Sequence, residues 1–354
     1  MTALNILALN SGSSSFKFGM YRVDSAGVKK LLGETLCTGT PPDSAGAMAR
    51  VVSALAASAM PPADAIGHRV VHGGPALHRH GRIDDAMLLQ LQAATAFAPL
   101  HTPAALALIR SSQAHFPGLP QVACFDTEFH AGLPDVARVL PIARELLSDG
   151  VQRYGFHGLS LESIVRQLGA DMPERLVIAH LGSGASITAL KAGRSVDTSM
   201  GLTPSGGVIM ATRSGDLDPG VLLYLLHEKH VDAAVLEALI DHRSGLLGIS
   251  GLSGDMRRLH EAAMTDGDAR LAIEMFCMSV RKQVAAMAAV LGGLDMLVFT
   301  GGIGENDAQV RHEICSGLQW LGVSVDASAP RCPVRVLASQ EDQQIARHVW
   351  AALA

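Results

Sequence analysis

Residues 5–23 read NILALNSGSSSFKFGMYRV, and residues 176–194 read LVIAHLGSGASITALKAGR. Each is an apolar strand, a turn of small residues and a second apolar strand, the pattern of a β-hairpin. Aligning Ala8 with Ala179 places Ser15 on Ser186 and Lys17 on Thr188. A repeat at this offset predicts two similar domains related by duplication. A third glycine-rich turn, FTGGIGEND at 299–307, follows the apolar strand Met296 to Phe299 and precedes a helical stretch from Ala308 to Leu321. A strand, a glycine turn and a helix start form a ready anion or nucleotide site.

Composition bounds the rest. The 354 residues suit two domains. The 28 basic and 33 acidic residues give a net charge of −5. That excludes a broadly basic nucleic-acid surface and an acidic disordered tail. No apolar run is long enough for a membrane helix, and no basic stretch precedes the first apolar one, so neither a span nor a signal peptide is expected. The five cysteines (Cys37, Cys124, Cys277, Cys315 and Cys332) are scattered and never CxxC. They read as reduced thiols in a cytoplasm, with no zinc site. No Gly-Lys dipeptide, GxGxxG, HExxH or GxSxG occurs, so four common enzyme classes lose their signature.

Helices are expected from Asp84 to Phe97, Pro219 to Glu228 and Ala269 to Leu291, with Pro41, Pro42, Pro61 and Pro62 in bounding loops. Between them lie polar segments too specific for packing: GHRVVHGG (67–74), APLHTP (98–103), CFDTEFH (124–130), YGFHGLS (154–160) and ATRSGDLDP (211–219). They place Arg69, His101, Asp126, His157 and Arg213 at strand ends or in loops, where catalytic groups concentrate. One histidine or one Arg-Asp neighbourhood would be unremarkable. Two arginines, three histidines and an aspartate beside three glycine turns form the inventory of phosphoryl transfer without a covalent protein intermediate.

These motifs identify a resemblance. With N-x-G-S-S-S-x-K at Asn10 to Lys17, HLGSGAS, SVDTSMGLTPSGG (195–207), SGLLGISGLSGDMR (244–257) and VFTGGIGEN (298–306), the chain resembles the acetokinase family from Asn5 to about Ala346. That family lies in the superfamily of sugar kinases, actin and heat-shock chaperones. The resemblance implies an α/β fold of two duplicated actin-like (ribonuclease H-like) domains. Each would carry a mixed five-stranded sheet, with a cleft between them. Residues 1–133 with 336–354 would form one domain, the C-terminal segment returning to it. Residues 134–335 would form the nucleotide-binding domain.

The implied activity is reversible, Mg2+-dependent transfer of phosphate from ATP to acetate, giving acetyl phosphate and ADP by direct in-line attack. A propionate or butyrate kinase on the same scaffold is the alternative. A nucleotide-gated binding module without catalysis is the rival from another class. The Arg69, Arg213 and His157 constellation argues against that rival. A homodimer in the cytoplasm is implied, with a small carboxylate substrate and neither nucleic acid nor membrane as partner.

The family's site residues carry over position by position. Asn10 and a C-terminal glutamate hold Mg2+ (or Mn2+). That glutamate falls on Glu341, with Asp342 as the neighbour, because Ser339-Gln340 replace the usual Thr-Asn. Lys17 lies near the nucleotide phosphates. His180, Leu181, Gly182, Ser183 and Gly184 form the second phosphate hairpin, Ser183 standing where most members have Asn. Asp255, Met256 and Arg257, with Gly302, Ile303, Gly304, Glu305 and Asn306, match the adenosine-binding parts. Met256 stands where Phe is common. Arg69, Asp126, His157 and Arg213 match the catalytic set, and His101 and His180 match further active-site histidines. Val71, Leu100, Phe156 and Pro204 match the apolar substrate pocket. The family labels Asp126 the proton acceptor, yet a short carboxylic acid is already ionised at neutral pH and needs no base. Asp126 is therefore expected to orient Arg213 or a metal-bound water. The chain is shorter than most members, mainly between the first hairpin and GHRVVHGG, and no named position is deleted.

Overall fold

A computed structural model describes residues 2–12, 15–37, 44–99, 101–324 and 331–353. The first sheet holds β1 (Leu4–Ser11), β2 (Ser15–Asp24), β3 (Gly27–Cys37), β4 (Ala65–Val70), β5 (Gly81–Arg82) and β6 (Gln121–Phe125), in the order β3-β2-β1-β4-β6-β5. The second holds β7 (Arg175–Leu181), β8 (Ala185–Lys191), β9 (Arg194–Thr198), β10 (Met296–Thr300), β11 (Val323–Ser324) and β12 (Cys332–Val336), in the order β11-β12-β10-β7-β8-β9. Read outward from β1 and from β7, the two sheets match. An antiparallel meander lies on one side and two parallel strands lie on the other. The chain is α/β with two mixed sheets, as the hairpin repeat implied.

Five strands per sheet is corrected to six. The additions, β5 and β11, are two residues each, too short to show an alternating pattern. The gapless repeat is corrected too. Asn10 pairs with Lys17 across the first hairpin, and Leu181 pairs with Ala185 across the second. The first hairpin pairs once more, Ser11 with Phe16, so its turn has four residues against three, and with Ala8 set on Ala179 the second hairpin is three residues shorter. Lys17 therefore corresponds to Ala185 rather than to Thr188.

Burial on both faces explains the strand sequences. Along β1, Ile6 and Ala8 enter one core, and Leu7 and Leu9 enter the opposite one. The helices Ser44–Ala57 and Thr102–His115 cover one face through Met48, Val51 and Leu108. The C-terminal helix Glu341–Leu353 covers the other through Ile345, Ala346 and Val349. It lies so close that a Cβ on Gly67 would meet Ile345 Cγ2 at 2.4 Å and Val349 Cγ2 at 2.6 Å.

The second sheet packs on the helix Gly267–Leu291 through Phe276, Val280 and Val284. That helix starts two residues earlier than the apolar pattern suggests, because Asp266 caps it by accepting from the amides of Asp268 and Ala269. The helix Gly158–Leu168 joins the two halves. Its Leu159 enters a core of the first sheet, and Leu161, Ile164 and Leu168 enter one of the second. FTGGIGEND forms a short helix of its own, Gly301–Asn306, before Asp307 caps the next one, Ala308–Ser316. Pro41 and Pro42 lie outside the described residues.

Candidate active site

The apolar strands end together, and their last residues are polar. Asn10 near the end of β1, Arg69 near the end of β4 and Asp126 just after β6 lie on adjacent strands. Arg69 donates to Asp126 Oδ2 from Nε at 2.9 Å and from Nη2 at 2.5 Å. Its Nη1 reaches Asn10 Oδ1 at 3.4 Å. Asp126 is fully buried, and its Oδ1 has no hydrogen-bond partner among the described residues. Burial pushes the Asp126 carboxyl up, against the pull of the Arg69 guanidinium. Asp126 therefore orients Arg69 rather than Arg213, a correction of the sequence expectation.

Asn10 also reaches the far end of the chain. Its Nδ2 donates to Glu341 Oε2 and to Asp342 Oδ1, both at 2.8 Å. The two candidate carboxylates therefore flank one amide. Burial opposes the Glu341 charge, but Arg69, His180, Asn10 and Lys17 outweigh it and hold its carboxyl below the usual range. Burial raises Asp342. An amide and two carboxylates stand together here, and with the Asn10 amide turned to present Oδ1 their hard oxygens fit a small divalent cation. Three carboxylates against Arg69 and Lys17 leave negative charge for such an ion to balance. Lys17 itself alternates outward between the buried Phe16 and Phe18.

His157 caps the helix Gly158–Leu168 at φ 61°, a conformation uncommon outside glycine. Gly158 explains the placement. Its amide donates to the Asp126 carbonyl at 2.9 Å, and a Cβ there would lie 2.3 Å from that oxygen. His157 Nδ1 contacts Ser186 Oγ at 2.9 Å, and its ring stacks on His180 with centroids 4.1 Å apart. Burial, then His180 and the two arginines, keep the His157 pKa well below its usual value. If Ser186 donates to Nδ1, a neutral ring carries its proton on Nε2. Burial also lowers His180 to about 4, and His101 to about 3 with help from Arg213 and Arg69.

The second hairpin brings its glycines here. A Cβ on Gly184 would lie 3.2 Å from Arg213 Nη1 and 3.3 Å from His157 Nε2. Gly182 faces the Gly302 amide, 3.9 Å from where its Cβ would be. The Ser183 carbonyl accepts from the Ala211 amide at 3.1 Å.

Arg213 is 7% exposed, and its partners among the described residues are the Pro204 carbonyl at 3.1 Å and Met210 Sδ at 3.8 Å. No described carboxylate hydrogen-bonds it. Burial lowers its pKa, with Arg69 adding to the effect and Asp241 opposing it. A guanidinium desolvated in this way is set to receive an anion.

Val71 and Phe156 are buried together in the second core beside this group. Leu100 lies outside the described residues. The Met256 side chain is 3% exposed and belongs to the second core. It packs inward. Asp255 caps the helix Met256–Ala262 through the Arg257 amide and pairs with the Arg257 side chain at 2.6 Å. Glu305 is a staple. Its Oε1 accepts from the amides of Gly301 at 3.0 Å and Ser339 at 2.9 Å. It fastens the glycine turn to the segment leading into Glu341. Asn306 Nδ2 donates to the Gly302 carbonyl at 2.9 Å, and Ile303 packs on the second core.

Sequence reading missed this second layer. Ser160 Oγ contacts His180 Nδ1 at 2.8 Å and Ser339 Oγ at 3.0 Å, and the Gln340 amide donates to Ser163 Oγ at 3.1 Å. One signal was present: Ser339-Gln340 depart from the family's Thr-Asn.

The model of the acetokinase family matches residues 5–350. The chain belongs to the acetokinase family. A curated acetate kinase of Nitrobacter hamburgensis is 40% identical over 390 aligned positions, covering 99% of this chain and 96% of the relative. The crystal structure of Porphyromonas gingivalis acetate kinase superposes with a TM-score of 0.83 at 32% identity, over 99% of this chain and 100% of the other. A propionate kinase from Francisella tularensis gives 0.85 at 35% identity, over 98% of each. Acetokinase-family membership makes the chain an ATP-dependent phosphotransferase with a carboxylate acceptor, working with a divalent metal. No helix among the described residues is long and apolar enough to cross a membrane.

Proposed function

We propose that this chain transfers the γ-phosphoryl group of ATP to acetate, reversibly, giving acetyl phosphate and ADP. The observation that carries the reading is Arg213, buried without a carboxylate hydrogen-bond partner among the described residues, beside Arg69, which Asp126 holds fixed. An anion is the missing partner. An acetate oxygen attacks phosphorus, a bond to it forms, and the bond to the bridging oxygen of ADP breaks. Arg213 neutralises charge on the phosphoryl group in flight. The neutral His157 donates from Nε2 to an equatorial oxygen. Arg69, kept rigid by Asp126, orients the carboxylate. The acceptor is ionised already, so Asp126 removes no proton.

Asn10, Glu341 and Asp342 would hold Mg2+, which supplies charge neutralisation between the phosphates when bound. Lys17 and the turn His180 to Gly184 would cradle the phosphates. Asp255, Arg257 and residues 302–306 would bound the adenosine, with Met256 behind them. Val71, Phe156, Pro204 and Leu100 would receive the methyl group. His101 would stay neutral beside the two arginines. Residues 1–133 with 336–354 would move as one body against 134–335, closing the cleft on ATP. The exposed apolar side chains Leu223, Tyr224, Leu271, Met275 and Met278 support a homodimer. The family's reaction and the scattered cysteines support a cytoplasmic enzyme.

Propionate kinase is the second reading, favoured by the similarity to a protein of that name. One methylene changes binding by only about 1–3 kcal/mol, so propionate should be a weaker but real substrate. Hydroxylamine trapping of the acyl phosphate, with Mg-ATP and acetate, propionate or butyrate, ranks the acids by kcat/KM. Acetate should trap fastest. A preference for a longer acid would move the substrate assignment. No trapping with any acid, despite ATP binding, would overturn the kinase reading.

A further inference from the structure

Three distant segments meet in a second polar cluster. His80 lies just before β5, Glu162 is on the helix Gly158–Leu168, and His348 is on the C-terminal helix. Each offers one ligand atom, and these atoms lie within 4.8 Å of one another. His348 Nε2 is 2.7 Å from Glu162 Oε2, and the two imidazole centroids are 3.9 Å apart. The Phe125 amide donates to His80 Nδ1 at 3.0 Å, and Glu128 Oε2 stands 2.6 Å from the same nitrogen, so a metal taken by Nε2 would place the ring proton on Nδ1, directed at Glu128. The side chains of His80, His348 and Glu162 are 9%, 19% and 28% exposed, shielded but reachable from solvent.

A plain ion-pair network is the competing explanation. It fits poorly. Nothing in an ion pair calls for two imidazoles in contact. Two imidazoles and a carboxylate are the ligand set of an open zinc site, where the ligand atoms of a tetrahedron stand about 3.4 Å apart. Small side-chain rotations cover the difference. Glu128 on the far nitrogen of His80 supplies the carboxylate–histidine arrangement that orients such ligands.

We propose that His80, Glu162 and His348 form a second metal site, for a borderline divalent cation such as Zn2+, separate from the hard-oxygen cluster of Asn10, Glu341 and Asp342. The donor chemistry separates the two ions, imidazole favouring Zn2+ and amide or carboxylate oxygen favouring Mg2+. The bound ion would clamp the helix that follows His157 to the helix that begins at Glu341. It would brace both arms of the phosphoryl-transfer site from behind. No zinc site was expected from the scattered cysteines. That argument concerned thiolates, and this trio is spread over three segments with no motif spacing.

The test titrates the chelator-treated full chain with Zn2+ under saturating Mg2+, followed by calorimetry. One tight site per chain is expected, with higher thermal stability on binding. Glu162→Gln and His348→Gln should each weaken it by about tenfold or more, and Glu341→Gln should leave it intact. X-ray absorption of the zinc-loaded natural chain, which needs no variant to fold, should show imidazole nitrogen around the metal. No stoichiometric binding, binding that survives both variants, loss of binding in Glu341→Gln or an all-oxygen shell would each overturn the assignment.

Discussion

The two halves share a scaffold and differ where their central strands end. Leu9 sits beside His68 in the first sheet, and its repeat partner His180 sits beside Thr300 in the second. One residue further on, the first half presents Asn10 and Arg69, and the second presents Leu181 and Gly301. Leu181 is buried in the core. Gly301 has φ 79°, and a Cβ on it would lie 2.7 Å from the Leu181 carbonyl. The same strand positions therefore offer polar side chains, an amide and a guanidinium, in one half, and a buried leucine and the bare backbone of Gly301 in the other. Side-chain forks suit a compact anion and an ion. Backbone amides and open space suit a long chain of phosphates. Duplication supplied the scaffold, and a few substitutions at strand ends divided the labour.

That division can be broken from either side. Arg213 gives the largest expected effect. Arg213→Ala should lower kcat about 100- to 1,000-fold with ATP affinity largely kept, and Arg213→Lys should not restore the rate because a point charge lacks the fork. Single-turnover rates beside equilibrium nucleotide binding check this. An unchanged kcat would remove Arg213 from the transition state.

Gly302 tests the backbone side. A Cβ there meets nothing within 4 Å among the described residues. Gly302→Ala should leave Tm unchanged and raise the KM for ATP by about tenfold, a loss of roughly 1.4 kcal/mol, with the KM for acetate unaffected. A fall in Tm instead would make the glycine structural.

Gly67 sharpens the comparison, since its counterpart in the second half is the core residue Phe299. Gly67→Ala drives a methyl into Ile345 and Val349 and should cost about 1–3 kcal/mol in denaturant unfolding. It should also raise the Mg2+ requirement, because the displaced helix carries Glu341.

The smallest effect is a pH slope. Burial pushes His68 down to about 4, and its counterpart Thr300 does not titrate. Between pH 6.5 and 4 the unfolded His68 binds a proton that the folded one refuses. Stability should therefore fall as the pH falls through that window and level off below it, by on the order of 3 kcal/mol from this residue. His68→Gln should make the slope shallower by about one proton.

Much of this was legible in local sequence. Hairpins, glycine turns and helix caps are fixed by residues within a few positions of one another, so NILALNSGSSSFKFGMYRV and its echo disclosed the duplicated scaffold. Arg69, Asp126, His157 and Arg213 stood out because polar residues at the ends of apolar strands need a reason. The partner of Asp126 did not stand out. Nothing within its own segment says that β4 runs beside β6, so Arg69 was not separable from Arg213. The three-residue shortening of the second hairpin was hidden because small residues fill both turns.

The sequence by itself determined the α/β scaffold, its duplication, the family and the set of chemical groups near the phosphates. Short-range propensity, strand alternation and motif spacing are all properties of neighbouring residues. Only the tertiary structure decided which groups meet. It joined Asn10 to Glu341 and Asp342 across more than three hundred residues. It linked His180 through Ser160 and Ser339 to the segment stapled by Glu305, and it gathered His80, Glu162 and His348. Those contacts follow from how sheets and helices stack to bury their apolar faces, and no local pattern records that stacking.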